Sequence, residues 1–481
     1  MPATLQDIRE AFTLSGGATS LTPKIIDRLL NELQRKFGPL HRAIPRKTWL
    51  TDIFYFNQRT AIPKAQFTTE APPTSGTGSV GATNSTFVQK SFPIKHTQSQ
   101  LDISTFAAKV ATVNGPLFDL ELLGAAKSME WLEETTHMFG SANATVNTAR
   151  PQWDGLDLLM ATANKVDAAT NLLTLKNMDN AIDAVRGVYA QELGTDFFFV
   201  MTPAMQSFLN GLFIQQQRFN MPMAKLFSRD DYGDPNAPVA DSAVDAGIEV
   251  QTYRGIPIVI SSFMGNQGTM GTVTATGNTG SGSSLLAATT YYYRIEAVTK
   301  YGLTAASAEV SQAPSGNGNN VVLSWSTPAP TDAYGNTIDI ISYRIFRSTT
   351  TLLESLYAVV SAYDITSDAA VTTWTDTGLI QNPSGSGNSA LFATTVAASG
   401  ANAISDGVTF PRVQSGTQTV EDIWLLPRDP EILVCPEVNP ISTQMLAPIN
   451  ARTRQFALTA DKVLALRAPA FCAKISRVRA N

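Results

Sequence analysis

The sequence contains few of the residues that most often bind metals, form disulfides or act as nucleophiles. Among its 481 residues are two cysteines, Cys435 and Cys472, and three histidines, His41, His96 and His137. Two separate cysteines make neither a disulfide framework nor a Cys-x-x-Cys motif. None of the histidines belongs to a His-Glu-x-x-His motif, and a structural zinc site takes about four ligands. We therefore expect neither a metal nor a cofactor.

Charged residues and long apolar runs are also scarce. Charged side chains make up 16% of the chain and the formal net charge is -5, whereas about 25% charged residues is usual for soluble domains. Such a low content is expected where much of the surface is buried against other copies of the chain. No run of about 18 apolar residues is present, so no membrane-spanning helix is predicted. The first residues, MPATLQDIREAF, lack the apolar core of a secretion signal.

Motifs of known catalytic sites are missing as well, with one apparent exception. The sequence has no Gly-x-Ser-x-Gly elbow, no Walker loop and no EF-hand loop. It does contain a Gly-x-Gly-x-x-Gly formed by Gly76, Gly78 and Gly81. In dinucleotide-binding proteins this motif follows a buried strand and opens a helix. Here Pro72 and Pro73 precede it and an alternating, extended stretch follows it, which favours a polar loop tip. No enzyme activity is predicted.

The N-terminal region predicts a helix followed by a long hairpin. Residues 22–38 carry apolar side chains at helical spacing, begin at a Thr-Pro pair and end at a glycine. Residues 50–110 hold two alternating segments on either side of the Gly/Ser/Thr-rich tip, a pattern typical of a hairpin. A hairpin alone is only marginally stable in water, so this one is expected to lie against other protein surface.

The longest predicted helix covers residues 116–139, from a proline to the residue before a glycine. At the helical rise it would be about 36 Å long. Apolar side chains at helical spacing supply the face expected to be buried: Leu117, Leu120, Leu123, Met129 and Leu132. Glu130, Glu133 and Glu134 are expected to face solvent.

Residues 170–265 predict mixed α and β structure. A helix is expected over 178–193, capped by Asn177, and a buried strand, DFFFVM, follows it. The next helix begins at Pro203, and the stretch GIEVQTYRGIPIVISSF predicts two strands joined by a tight turn at Arg254-Gly255.

The sequence changes character over residues 266–400. Two Gly/Ser-rich stretches enclose short segments rich in aromatic and β-branched residues, namely YYYRIEAVT, VVLSWS, ISYRIFRST and TTWTDTGL. Short strands at turn-separated spacing are typical of a β-sandwich. Residues 405–481 resemble the region before residue 266 in composition, with five more predicted strands: EDIWLLP, EILVCP, RTRQFALT, KVLALR and FCAKISRV. The sandwich is therefore interpreted as an insertion at a loop tip.

Taken in order, these segments resemble the major capsid protein of tailed bacteriophages with the HK-97-type fold, an α+β fold. The resemblance is carried by the extended hairpin, the long helix, and the stretches QWDGL, FFFVMTPAMQSFL, YRGIPIVISSFM and LALRAPAFCAKISRV. It divides the chain into an N-terminal arm (1–50), an E-loop region (51–110), a P-domain with a spine helix (111–170), an A-domain (171–250), a return to the P-domain (251–265), an inserted β-sandwich (266–400) and the remaining A- and P-domain strands (401–481). The insert resembles an immunoglobulin-like or fibronectin type III domain in which the late-strand motif comes first.

The resemblance implies a structural protein of the virion. Copies would form the pentamers and hexamers of an icosahedral phage head, assembled in the host cytoplasm around double-stranded DNA, with portal, scaffold or cement proteins as further partners and no membrane. The insert would be displayed on the outer surface. Candidate inter-subunit contacts of the E-loop are Phe54, Phe56, Phe67, Phe87 and Phe92. Candidate DNA-facing or inter-subunit basic residues are Arg42, Arg46, Lys47, Arg452 and Arg454.

Two other functions are compatible with the sequence. An encapsulin-like compartment shares the capsid fold and would enclose protein cargo instead of a genome. An enzyme with an attached β-sandwich module would need a convergent set of acids or a nucleophile with its base, and no motif for either is present.

Overall fold

The computed structural model describes residues 38–63, 65, 84–104, 117–142, 151–168, 171–190, 192–217, 251–264, 266–279, 283, 285–331, 337–351, 354–364, 367, 369–378, 420–446 and 453–479. The helix predicted over 22–38, the glycine-rich hairpin tip and the second Gly/Ser-rich stretch lie outside these residues, apart from Gly38.

The described helices are α1 (Pro39–Ala43), α2 (Leu117–Phe139), α3 (Leu156–Leu159), α4 (Leu175–Tyr189) and α5 (Pro203–Gln217). The described residues also form single 3-10 turns at Thr162–Asn164, Gly194–Asp196, Ser262–Met264 and Pro469–Phe471. None of the helices in the described ranges has the length and apolarity needed to cross a bilayer.

The first half of the described chain contains the strands β1 (Arg46–Thr48), β2 (Ile53–Ala61), β3 (Thr86–Pro93), β4 (Lys95–Ser104), β5 (Lys165–Asp167), β6 (Phe197–Met201), β7 (Thr252–Tyr253) and β8 (Ile256–Ile260). The glycine- and tyrosine-rich region adds β9 (Asn266–Thr269), β10 (Val273–Asn278), β11 (Tyr291–Thr299), β12 (Gly302–Ala305), β13 (Val310–Gln312), β14 (Asn320–Trp325), β15 (Ile340–Ser348), β16 (Ser355–Ser361) and β17 (Thr373–Asp376). The C-terminal strands are β18 (Val420–Pro427), β19 (Leu433–Met445), β20 (Thr453–Lys462), β21 (Ala465–Leu466) and β22 (Ala473–Arg479).

The chain divides into two compact units. The smaller comprises 1–36, 100–126 and 443–458, and the larger comprises the rest. The described parts of the smaller unit are the second half of β4, the first turns of α2, the end of β19 with Leu446, and the first half of β20. The sites described below lie in the larger unit unless stated.

A central sheet of six strands, in the order β5-β22-β18-β6-β8-β7, combines strands from both ends of the larger unit. Strand β6 is buried along its whole length, as a continuous apolar run predicts. It pairs in parallel with β8 and antiparallel with β18, a strand more than 200 residues later in the chain. Helix α4 packs its apolar stripe on this sheet through Met178, Ala181, Ile182 and Val185. The chain therefore leaves this sheet after β8 and returns to it at β18.

Most predicted elements of this body are confirmed. Helix α2 covers the stretch predicted as the longest helix, and the positive φ angles of Arg254 and Gly255, 49° and 80°, confirm the tight turn between β7 and β8. The predicted cap of α4 is wrong: the helix begins three residues earlier, and the side chain of Thr174 accepts a hydrogen bond from the backbone N–H of Asn177. Both residues are good capping types, and sequence alone did not distinguish them.

Two sheets make up the region from β9 to β17. The large sheet has the order β16-β15-β11-β12-β9, with β13 paired to β11, and the small sheet has the order β10-β14-β17. They share one hydrophobic core, which contains Tyr293, Leu323 and Tyr343. Strands β9, β10 and β16 were missed by the sequence prediction, because their residues (NQGT, VTATGN and SLYAVVS) lie in turn-rich or short apolar stretches.

The other face of the large sheet is also buried, against the body. Leu158 of α3 packs with Phe346, Leu356 and Val359 of the large sheet. The hydroxyl of Thr135 in α2 donates to the main-chain oxygen of Lys300 at 2.9 Å. Nearly all of β11 and β15 is consequently buried on both faces. The two sheets are built into the larger unit and do not hang from it by a linker.

The prediction that the glutamates of α2 face solvent is wrong for two of them. Glu133 and Glu134 are fully buried, whereas Leu123, assigned to the buried face, is 50% exposed. Glu133 forms an ion pair with Lys462 at 3.1 Å, and Glu134 accepts backbone N–H groups of α1. Helical spacing identifies faces, but residues distant in sequence decide which face is covered.

Candidate assembly surface

The hairpin of β2 and β3 is anchored at one end. Phe54 pairs with Phe92 across the two strands, and both side chains lie in the core of the larger unit, 1% and 4% exposed. Phe56 stacks on Phe92 with ring centroids 5.9 Å apart. The guanidinium of Arg467 lies 5.2 Å from the ring centroid of Phe54, and the side chain of Gln58 donates to the main-chain oxygen of Arg467 at 3.3 Å. This end of the hairpin is therefore fixed by the chain itself.

The other end of the hairpin is apolar and exposed. Phe87 is 60% exposed and its neighbour Val88 is 43% exposed. Adjacent strand residues point to opposite faces, so neither face is covered here by the part of the chain that the structure describes. Ile62 adds further exposed apolar surface at this end, and the guanidinium of Arg59 lies 5.6 Å from the Phe87 ring centroid. Exposed apolar groups on a paired strand end are typical of an interaction surface.

The five phenylalanines singled out from the sequence thus separate into distinct environments. Phe54 and Phe92 are covered by this chain, Phe56 is half-buried between them, and Phe87 is exposed. Phe67 lies outside the described residues. Only Phe87 among the described four offers most of its ring to a neighbouring copy.

The basic residues singled out from the sequence are also divided. Arg42 forms an ion pair with Glu130 at 3.0 Å, and Arg46 forms one with Glu437 at 3.5 Å. Lys47 is exposed, with its ammonium 6.0 Å from the ring centroid of Trp49. Arg454, in the smaller unit, is exposed, and Arg452 lies outside the described residues.

A second apolar surface follows the outer half of β19. The first residues of this strand are buried, but the exposed fractions rise to 37% at Val438 and 37% at Ile441. Met445, which lies in the smaller unit, is 72% exposed. Sequence reasoning identified only EILVCP as a strand, because the alternation after Pro436 contains a second proline, Pro440. The exposed alternating pattern of VNPISTQM could have indicated a strand continuing into solvent.

A buried histidine–glutamate cluster lies where the start of the described chain meets α2, and no sequence motif predicts it. It consists of His41, Glu133 and His137. The Nδ1 atom of His41 lies 3.3 Å from a carboxylate oxygen of Glu133 and 3.5 Å from Nε2 of His137. The two imidazole rings stack with centroids 5.7 Å apart, and His137 also contacts Trp153. Helical spacing of Glu133 and His137 was the only available sequence signal.

The donor atoms of the histidine–glutamate cluster lie within 4.8 Å of one another, a grouping that a metal ion can use. Two side-chain cations already occupy its surroundings. The ammonium of Lys462 lies 3.1 Å from the Glu133 carboxylate, and Arg46 donates to Nε2 of His41 at 2.5 Å. A divalent ion would add two positive charges to a buried region whose carboxylate is already paired. We assign no metal to it.

Comparisons with known proteins identify no family. No protein-family model and no curated protein matches the chain. Similar solved structures include the holo-SrpI encapsulin complex of Synechococcus elongatus, with a TM-score of 0.38 and 10% identity over 97% of this chain and 95% of that one. The structure of Gordonia phage Cozz aligns with a TM-score of 0.44 and 8% identity over 98% and 95% of the two chains. The capsid of a native GTA particle gives 0.42 and 8% over 97% and 98%. These TM-scores are all below 0.5, so the similarities assign no function to this chain.

Proposed function

We propose that this protein is a major capsid protein of the HK-97-type fold, whose copies assemble as pentamers and hexamers into an icosahedral phage head around double-stranded DNA. The observation that carries the proposal is the hairpin of β2 and β3. Its base is held in the chain's own core, while its far end exposes Phe87, Val88 and Ile62. A second copy of the chain, repeated around a closed ring, would bury these side chains.

The order of the elements supports this proposal. The order is the one expected for the HK-97-type capsid fold: an extended hairpin, the long helix α2, a mixed sheet with α4 and α5 on it, and closing C-terminal strands. The low content of charged residues, 16%, is consistent with a surface that is largely covered by other copies.

We further propose that the two sheets from β9 to β17 are an inserted immunoglobulin-like sandwich on the outer surface of the shell. Strand β11 lies between the later β15 on one side and β12 on the other, which is the arrangement expected if the late strands of such a domain come first. The small sheet supports outward display, because Thr274, Thr276, Thr373 and Thr375 on its outer face are exposed.

A contact with packaged DNA is proposed for the exposed Lys47 and Arg454. Phosphate contacts of this kind are independent of base sequence and weaken as the salt concentration rises. The ion pairs of Arg42 and Arg46 with Glu130 and Glu437 favour a role inside the chain for these two arginines. No catalytic role is proposed.

The proposal is tested by electron microscopy and sedimentation of the purified chain, alone and co-expressed with the products of neighbouring genes. Closed shells or rings of five and six copies are the expected result. Shells that contain nucleic acid support a phage head, whereas shells filled with one protein cargo indicate an encapsulin-like compartment. A monomer under every condition would contradict any shell function.

Replacing Phe87 with serine is expected to weaken assembly without unfolding the chain. The ring is 60% exposed in a single chain, so its loss removes little of the chain's own core. Burying such a ring at an interface is worth about 1.5–3 kcal/mol, or roughly a tenfold or larger rise in the critical concentration for assembly when it is lost. Light scattering as a function of concentration measures this value.

The matched control is Val188→Ser on α4, which removes an apolar side chain that is 52% exposed elsewhere on the larger unit. We expect its critical concentration to stay within about twofold of the parent's, since a factor of two is only about 0.4 kcal/mol. Equal critical concentrations for Phe87→Ser and the parent would remove the hairpin end from the interface.

A further inference from the structure

His41 and His137, two of the three histidines of this chain, lie together in a buried cluster where segments distant in sequence meet. The segment 38–48, which contains α1 and β1, is held on one side by α2. The backbone N–H groups of Gly38, Leu40 and His41 donate to the carboxylates of Glu130 and Glu134, at distances of 2.9, 3.0 and 2.5 Å. On its other side, β1 pairs in parallel with β19.

The charges around the histidine–glutamate cluster come from each element packed against it. Those of segment 38–48 are Arg42 and Arg46, those of α2 are Glu130, Glu133 and Glu134, and those of β19 and β20 are Glu437 and Lys462. Cys435 also faces Glu133 and Glu437, and Ser261 donates to Glu134 at 2.9 Å. A proton added to either imidazole would place a further positive charge beside Arg46 and Lys462, out of contact with water.

Both histidines are accordingly held neutral in the folded chain. Burial, together with the charges of His137, Arg46, Lys462 and Arg42, lowers the pKa of His41 from 6.5 to about 2. Burial, with Lys462 and Arg46, lowers the pKa of His137 to about 3. Among the described residues, the Nδ1 atom of His137 has no hydrogen-bond partner, so no described acceptor stabilises its protonated form.

We propose that His41 and His137 form a proton-operated clasp, which holds segment 38–48 against α2 and β19 when both rings are neutral and releases it when they are protonated. The released form would expose the two rings to water, where each can carry its charge. This inference does not depend on the proposed function.

The direction of the pH effect follows from the folded and unfolded pKa values. Histidines whose pKa is lowered on folding contribute full stability above about pH 6.5 and lose it as the pH falls. Burial raises the pKa of Glu134 from 4.5 to about 7 and that of Glu133 upward, so these two groups act in the opposite direction. The two histidine shifts, from 6.5 to about 2 and about 3, are each larger than that of Glu134, and they extend below pH 4.5, where the glutamates no longer oppose them. The clasp is therefore expected to loosen progressively as the pH falls below about 6.5.

Hydrogen exchange of the full chain tests this inference. Protection factors of peptides covering 38–48, corrected for the intrinsic exchange rate, are compared at pH 7.5 and pH 5.0. We expect protection of these peptides to fall at least about tenfold at pH 5.0, which corresponds to about 1.4 kcal/mol of local stability, while peptides of β6 and β18 keep theirs.

Two variants separate protonation of the clasp from a general effect of acid. His137→Phe keeps an aromatic ring against Trp153 and cannot be protonated. The logarithm of its protection factors over 38–48 should therefore fall, between pH 7.5 and pH 5.0, by no more than half as much as in the parent. His96→Gln alters the third histidine, whose side chain is 82% exposed, and should behave as the parent does.

If His137→Phe fails to fold, NMR of the parent chain still tests the proposal. Imidazole resonances of His41 and His137, read by NMR after histidine labelling, should change only together with the loss of protection over 38–48. Protection factors of 38–48 at pH 5.0 that stay within threefold of those at pH 7.5 would overturn the proposal. So would either imidazole titrating near pH 6.5 while the segment remains protected.

Discussion

Replacing Asp157 with alanine is expected to destabilise the larger unit by about 3–5 kcal/mol, the usual cost of leaving buried charges without their partner. The Asp157 side chain is fully buried at the start of α3. Lys474 of β22 lies 2.5 Å from one carboxylate oxygen, and Arg344 of the large sheet pairs with the other. The ammonium of Lys165 donates to the main-chain oxygen of the same residue at 2.8 Å.

The physical reason is that Lys474 and Arg344 pair with one buried carboxylate, and a third cation, Lys165, is bound to the main-chain oxygen of the same aspartate. Burial by itself would raise the pKa of Asp157, but the charges of Lys474, Arg344 and Lys165 outweigh it and hold the pKa well below its usual range. Because the folded pKa is depressed, this stabilisation is present above about pH 3.9 and is lost as the pH falls below it. Without Asp157, Asp422 at 3.2 Å still faces Lys474, and Glu296 at 4.0 Å is a more distant carboxylate for Arg344 than Asp157.

Denaturant unfolding at pH 7 measures the effect, with Asp183→Ala as the matched control. Asp183 is an exposed aspartate on α4, and its replacement is expected to change the free energy of unfolding by less than about 0.5 kcal/mol. A loss below about 1 kcal/mol for Asp157→Ala would show that Asp422 and Glu296 are sufficient partners. It would also contradict the interpretation that this ion-pair cluster ties the large sheet to the body.

Replacing Gly155 with alanine is expected to cost about 3 kcal/mol, because no space exists for a Cβ atom at this position. A methyl group here would lie 2.6 Å from the main-chain oxygen of Met138 and 2.7 Å from the main-chain nitrogen of Gly140. Both are backbone atoms at the end of α2, and the N–H of Gly155 donates to the Gly140 oxygen at 2.8 Å. The end of α2 would have to move away from residues 153–155.

The same chemical change at Gly187 provides the control with the opposite sign. Gly187 lies within α4, and a Cβ atom there meets nothing within 4 Å. Gly187→Ala should raise the free energy of unfolding by up to about 1 kcal/mol, through the higher helix propensity of alanine. Thermal unfolding of both variants beside the parent distinguishes the two effects. A Gly155→Ala protein as stable as the parent would mean that the contact at the end of α2 is loose.

Local sequence signals predicted the elements well where they depend on near neighbours. The proline and glycine around α2, the alternation in β2 and β3, and the aromatic runs of β11 and β15 each led to an element with nearly the observed bounds. Phe54 and Phe92 mark the two paired strands of the hairpin, but both were singled out as contacts between copies and both lie in the core of this chain. Strand β10 was missed because VTATGN has the composition of a turn and becomes a strand by pairing with β14.

Local signals did not reveal which side chains would be buried together. Helical spacing predicted that Glu133 faces solvent, yet it is covered by Lys462 and His41, which come from opposite ends of the larger unit. Phe87 and Phe92 have the same chemistry and lie on the same strand, but one is 60% exposed and the other 4%. No property of the residue itself separates these two.

Spacing of apolar, proline and glycine residues was therefore enough to establish the helices, the hairpin and the change to short strands after residue 265. Helix and strand formation depends on contacts a few residues apart, which a sequence displays directly. Tertiary structure alone decided the ion-pair cluster of Asp157, the histidine–glutamate cluster and the exposed end of the hairpin. Burial and charge pairing depend on residues that meet only in the folded chain, as Asp157 and Arg344 do across 187 positions of sequence.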